Sequence, residues 1–307
     1  MVNRRTVLRG VAGGLLGASL SRFSGAASGA SPGIVRLNDR MAVVSGVEDN
    51  VLALSTSDGL LIVDSGSPAY TEALLDALRG LSGAGHVHTL INTHWHADQT
   101  GANEALGKAG TRIISQAKTQ AWICTDHYNP VKDRYEKALP RAAWPTETFY
   151  STGAMTAGEE HIEYGYLVEA HTDGDCYVYF RDSNVLAVGH VLSPVQDPQL
   201  DWYGGGWLGS RLDALTLLYN LANDQTRIVP AYGPPVARSS IKAEHAMLQA
   251  IYSRMVDLML KGRSAEDIFN AGVMNGSSRT WNDPRTFVYS AFHGLWGHHY
   301  ALSPTIL

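Results

Sequence analysis

The chain has 307 residues, 45% of them apolar and 17% charged, enough apolar material to bury a sizeable core in one large domain or two small ones. Its formal net charge is −5, with lysine and arginine scattered rather than clustered, which excludes electrostatic attraction to nucleic acid as the basis of function. A soluble globular protein acting on a small molecule is the starting expectation.

The N-terminus stands apart from the rest. Arg4 and Arg5 precede an apolar stretch over residues 11–20, too short to span a bilayer, and small residues follow over 25–30. This order predicts a cleavable signal peptide over residues 1–30, cut after Ala27 or Ala30. The paired arginine resembles the twin-arginine export type, which implies passage through that machinery in the folded state, metal loading before export, and a periplasmic or secreted destination. No low-complexity tract, solenoid-length repeat or long linker follows, so residues 31–307 read as one domain.

Residues 41–44 and 51–55 read as strands, and 59–64 as a buried strand ending at the turn Ser65-Gly66. Leu74, Leu75, Leu78 and Leu81 then recur at helical spacing, with Gly80 and Gly83 available as stops. A strand over 88–92, a helix around 103–106 and a strand over 111–115 come next. Residues 116–150 start helical and become irregular near Pro140 and Pro145. Strands are expected at 161–169, 176–180, 185–188 and 227–230, and helices at 213–221 and 243–260, the latter with Leu248, Ile251, Met255 and Leu258 on one face. Ser264 to Asp267 has the form of a capping box for a last helix. Alternating strands and helices point to α/β layering. Cys124 and Cys176 read as unpaired, the second inside an apolar strand.

Chemistry concentrates at strand ends. Ile91-Asn-Thr-His94-Trp-His96-Ala-Asp98-Gln99 places two imidazoles at i and i+2 on a polar turn, where both can face one ion, as zinc's preference for nitrogen requires. Three further apolar strands end at His171, His190 and Tyr232, and strand ends of an open α/β layer share an edge where ligands gather. The segment from Trp202 to Trp207 supplies aromatic faces on a mobile glycine hinge, as a pocket wall or a surface turn. Trp281, Phe287, Tyr289, Phe292 and Trp296 read as C-terminal packing, and His293, His298 and His299 as solvent-facing.

The run Thr-His94-Trp-His96-Ala-Asp98, with His171-Thr-Asp-Gly-Asp 75 residues after His96, resembles the His-x-His-x-Asp-His motif and third histidine of the metallo-β-lactamase superfamily. The likeness covers nearly all of residues 42–235 and implies a four-layer αββα sandwich with metals at one edge, the strand ending at Asp64 buttressing the metal loop. It implies an intact first site of His94, His96 and His171, open to a water. At the second site the family has histidine where this chain has Gln99, a bridging aspartate where it has His190, and usually histidine where it has Tyr232. Only Asp98 survives there, leaving a more positive cluster that would repel a second cation. One zinc per chain is therefore expected, with iron, nickel or copper also compatible with imidazole ligands.

The resemblance implies a zinc-dependent hydrolase that attacks a small carbonyl substrate (lactone, ester, thioester or cyclic amide) through a metal-bound hydroxide. Asp98 would orient the hydroxide or take its proton, and His190 or Tyr232 would bond the substrate oxygen or protonate the leaving group. His190 is either that group or a fourth metal ligand, Tyr232 either that group or a packed tyrosine, and Gln99 either a weak ligand or a loop holder. The alternatives are a mono-metal lyase or iron oxygenase of the same fold, or a non-catalytic metal-binding module.

Overall fold

The computed structural model describes residues 32–81, 86–277 and 279–298; the expected signal peptide of residues 1–30, Gly83 and His299 lie outside the described residues. β1 (Gly33–Arg36), β2 (Met41–Val47), β3 (Asp49–Thr56) and β4 (Gly59–Val63) form an antiparallel meander. α1 (Thr71–Leu81) leads to β5 (Val87–Ile91), parallel to β4. The short α2 (Ala97–Thr100) and α3 (Asn103–Lys108) precede β6 (Arg112–Gln116), which is followed by α4 (Ala117–Cys124) and a small hairpin of β7 (His127–Asn129) and β8 (Arg134–Glu136). β9 (Glu147–Phe149) joins parallel to β6 and completes a seven-stranded sheet in the order β1-β2-β3-β4-β5-β6-β9.

β10 (Thr152–Ala157), β11 (Glu160–Tyr166), β12 (Cys176–Phe180) and β13 (Val185–Gly189) pair antiparallel, and α5 (Leu208–Leu221) leads to β14 (Arg227–Pro230), parallel to β13, in a five-stranded second sheet. α6 (Arg238–Leu260), α7 (Ala265–Asn270) and α8 (Pro284–Gly297) close the described chain. Among the described residues, no helix is long and apolar enough to cross a membrane.

The apolar strands are buried on both faces because each sheet is covered twice. Leu61, Val63, Ile91 and Ile114 of the first sheet meet Val178, Phe180, Val185 and Val229 of the second in the central core. The alternate residues Leu60, Ile62, Leu90 and Ile113 turn outward onto Leu74 and Leu78 of α1 and Leu106 of α3. On the far side, Leu186, Val188 and Ile228 pack on Leu212 and Leu215 of α5 and on Leu248, Ile251 and Met255 of α6. Period-2 alternation within continuous apolar runs thus yields four layers, αββα, as expected.

Several expectations are corrected. The strand placed at 161–169 stops at Tyr166, because Glu169 takes a positive φ of 50° and Leu167 N–H donates to Asp175 O at 2.8 Å, which closes a loop. His171 therefore sits in that loop rather than at a strand end. α7 carries the expected Ser264–Asp267 capping box but is not the last helix. α8 follows, started by Asp283, whose side chain accepts from Thr286 N–H, and by Pro284 in its first turn. α5 and α6 begin earlier than expected, at Leu208 and Arg238, because Trp207 and Ala237 precede them without a side-chain cap to mark the start. Strand β10 was not expected; it is a sheet-edge strand of small and polar residues with little periodic signal. Both cysteines are free, as expected.

Candidate metal centre

The loop after β5 carries the first candidate ligands and is held from below. Asp64, at φ 62° just past β4, accepts hydrogen bonds from Thr93 N (2.7 Å) and Thr93 Oγ1 (2.8 Å), and Cys176 N–H donates to Thr93 O at 2.8 Å. This is the buttress expected of Asp64. At Gly189 a Cβ would lie 2.8 Å from Thr93 Oγ1, so glycine lets the end of β13 close on the same loop and deliver His190.

Each of three histidines has one ring nitrogen engaged by the protein and the other turned inward. His94 Nδ1 lies 3.2 Å from Thr93 Oγ1, and its buried Nε2 has no hydrogen-bond partner. His96 Nε2 lies 2.9 Å from Asp201 Oδ2, and His171 Nδ1 is 3.0 Å from Gln199 O. The two inward nitrogens His96 Nδ1 and His171 Nε2 are 3.2 Å apart. With bonds of about 2.0–2.1 Å, a tetrahedral ion holds two nitrogen ligands roughly 3.3 Å apart. The rings stand nearly perpendicular, with centroids 4.9–5.0 Å apart. Engaging the outer nitrogen fixes ring and tautomer, the usual support of a metal-bound histidine. The chemistry of the donor set and the orphaned His94 Nε2 therefore fit a metal ion.

Burial, reinforced by the neighbouring histidines, holds His94 and His171 well below the usual imidazole range, which keeps them neutral as ligands must be. At His190 burial acts the same way, but the hydrogen bond and charge of Asp49, and then Asp98, outweigh it and raise the pKa. Burial lifts the carboxyl of Asp175 to about 6, against its bonds from His171 N, Thr172 N and Thr172 Oγ1.

The ligand atoms of His94, Asp98 and His190 lie within 4.8 Å of one another and form a second, overlapping group with the same limit as His94, His96 and His171. Gln99, fully buried, donates through Nε2 to Asp49 Oδ2 at 2.6 Å, so it is tied to a carboxylate of the protein. Asp49 also corrects the expectation that the second group is left short of negative charge: its carboxylate is 4% exposed and 2.6 Å from His190 Nε2. Tyr232 is 46% exposed.

His96 and Asp98 open into a cavity of about 920 Å³, whose wall includes Trp95, Trp122 and Tyr203. Trp95 stacks on Trp122 at 4.7 Å, and Trp122 Nε1 donates to Asp173 Oδ1 at 2.8 Å. His94, His171 and His190 lie beneath the wall, each at most 3% exposed. Trp202 and Tyr203 do line the cavity, but the glycine segment is no free hinge. Asp201 N donates to His171 O (2.9 Å), Asp173 N to Gly204 O (2.7 Å) and Trp207 N to Glu169 O (3.0 Å). A Cβ at Gly206 would fall 1.9 Å from His171 O, so glycine there serves this close backbone approach. The C-terminal histidines also join the segment: the exposed His293 lies on Trp202, and His298 is half-buried on Trp207 at 4.4 Å rather than facing solvent.

Sequence reasoning missed Asp49, Asp175, Asp201 and the buried pair Arg211–Glu244. Asp201 carried a faint signal, an acid at the head of the aromatic glycine segment; Asp175 stood in the motif already quoted around His171.

A family model described as the metallo-beta-lactamase superfamily matches residues 46–231. Two proteins named metallo-beta-lactamase type 2 are similar over 192 residues, 61% of this chain: one from Bacillus cereus at 26% identity over 68% of its length, one from Bacillus sp. (strain 170) at 27% over 67%. Among solved structures, a metallo-beta-lactamase from Pontibacter korlensis superposes with a TM-score of 0.58 at 20% identity, over 71% of this chain and 99% of that one. The stereoselective inverting sec-alkylsulfatase Pisa1 from Pseudomonas sp. gives 0.64 at 14% identity, over 89% of this chain and 52% of the sulfatase. At these identities the structural likeness speaks to the fold.

Proposed function

Because the chain belongs to the metallo-beta-lactamase superfamily, we propose that it is a single-zinc hydrolase of a small carbonyl substrate: a lactone, ester, thioester or cyclic amide. The carrying observation is the set of three inward nitrogens of His94, His96 and His171, beneath a cavity of about 920 Å³ that His96 and Asp98 line. The relatives named metallo-beta-lactamase type 2 suit a hydrolytic reading. His94 has one free nitrogen and serves one ion, so the two overlapping groups do not make two complete sites. When bound, zinc supplies Lewis acidity, polarising a carbonyl and easing deprotonation of water.

The chain's own residues do the rest. Asp98 lines the cavity with its side chain 27% exposed, and in this reading it orients a water and takes its proton. Asp201 fixes His96, and Gln199 O fixes His171. The Trp95–Trp122 wall excludes water and seats the apolar part of a substrate.

Zinc-loaded protein is expected to turn over members of a panel of aryl esters, lactones, thioesters and cyclic amides, to stop on chelation and to recover with zinc. Asp98→Asn should lower turnover on the order of 10²-fold while metal content stays at one. A fully loaded chain that cleaves nothing in the panel, or that holds iron and consumes oxygen, sinks the hydrolytic reading.

Export is a separate proposal, motivated by Arg4 and Arg5 ahead of the apolar stretch. Changing both to lysine should leave the uncleaved precursor in the cytoplasm. Undiminished periplasmic accumulation of the variant would remove the twin-arginine reading.

A further inference from the structure

We propose that Asp49, by engaging Gln99 and the Nε2 of His190, leaves the second group, His94, Asp98 and His190, too short of ligands to hold a metal. The inference rests on the metal-binding part of the reading above and is independent of hydrolysis.

The distances separate two kinds of contact. Asp49 Oδ2 lies 2.6 Å from His190 Nε2 and 2.6 Å from Gln99 Nε2. Two ligands on one ion with bonds of about 2.0–2.1 Å stand roughly 2.9 Å apart or more at right or wider angles. The 3.2 Å between His96 Nδ1 and His171 Nε2 meets that spacing. The two 2.6 Å contacts do not; they are hydrogen bonds, and a nitrogen and a carboxylate oxygen that close need a proton between them. An ionised carboxylate only accepts. Gln99 therefore presents its NH₂, which cannot bind a cation, and His190 presents Nε2–H, so that its ring keeps a lone pair at Nδ1 alone, buried without a hydrogen-bond partner.

Asp49 is also held in place. Its neighbour Asn50 donates through Nδ2 to Pro230 O (2.9 Å) and Gly233 O (2.7 Å) and through its backbone N–H to Ala231 O (2.6 Å), and Ala231 N–H donates to Gly189 O at 2.9 Å. The start of β3 is thereby pinned to the end of β14 and to the turn that carries His190. Asp49, Gln99 and His190 are 4%, 0% and 3% exposed, so water does not compete for these bonds. With His94 serving the first ion, Asp98 and His190 Nδ1 are what remains to the second group, two donors where a tight site needs three or four.

The probe is cobalt(II), titrated into the purified full chain and followed by its visible absorption and by metal content after removal of excess ion. The natural chain and Gln99→His should each hold one cobalt, since Asp49 remains to bind the new imidazole. Asp49→Ala combined with Gln99→His should hold two. Two ions in the natural chain or in Gln99→His overturn the proposal, as does a double variant that keeps the first ion's spectrum and takes no second. No tight ion in the natural chain fails the metal reading instead, and the proposal with it. Should the double variant lose the first ion, the natural chain decides. In its zinc-loaded form the His190 Nε2–H resonance should be shifted downfield by the short hydrogen bond and persist under excess zinc; its loss to coordination overturns the proposal.

Discussion

His94→Ala together with His96→Ala is expected to leave the chain without tightly bound metal and to lower turnover by a factor of about 10³ or more, since a catalytic ion supplies several kcal/mol of transition-state stabilisation. The geometry leaves no substitute. Of the inward nitrogens only His171 Nε2 would remain, and one imidazole does not hold a divalent ion against water. The loss should also show as stability. An ion present at 1,000 times its Kd adds about 4 kcal/mol to the folded state, so the natural chain should melt higher with zinc while the variant ignores it. Gln99→Ala makes the contrast. It removes a hydrogen bond to Asp49, worth about 1 kcal/mol, and no inward nitrogen. Metal analysis of both variants checks the pair, and equal loss of metal from each would contradict the assignment of ligands.

How much of this was legible in the sequence follows from the range of the interactions. The central strands of both sheets were readable because continuous apolar runs such as Leu60 to Val63 and Val185 to Val188 mean burial on two faces. His94, His96 and Asp98 were readable because a turn brings close neighbours in sequence to one point. Asp49 was not: it reaches His190 across 141 residues, through a strand start pinned to the far end of the other sheet, and nothing local distinguishes it from Glu48 beside it. His171 was legible as a ligand but misplaced on a strand, since Leu167 and Val168 continue the apolar run while the Glu169 backbone turns left-handed. The start of α8 at Asp283-Pro284 was a readable cap that aromatic crowding around Trp281 and Phe287 obscured. The metal loop is thus written locally, whereas its outer carboxylates depend on the sandwich having closed.

The other large effect is expected behind the cavity wall, at Arg211. Its side chain is fully buried on α5 and donates to Glu244 Oε1 (2.9 Å), Ser193 Oγ (3.1 Å) and Gln199 O (2.9 Å), while Glu244 Oε2 accepts from Ser193 N at 2.8 Å. Arg211→Met should cost about 3–5 kcal/mol, because it strands the Glu244 carboxylate uncompensated in the interior. For a domain of this size that is a fall in Tm of roughly 6–20 °C. Arg211→Met with Glu244→Leu should recover most of it, since an apolar pair of similar volume replaces a buried ion pair at little net cost. Metal affinity should not recover in step. Gln199 O, which Arg211 holds, is also the acceptor 3.0 Å from His171 Nδ1, so both variants should bind zinc about tenfold or more weakly in chelator competition. Melting the metal-free proteins separates the two effects. A single variant within 2–3 °C of the natural chain would show that the buried pair contributes little (a difference of about 1 kcal/mol), and unchanged zinc affinity in both would show that Gln199 needs no help from Arg211 to orient His171.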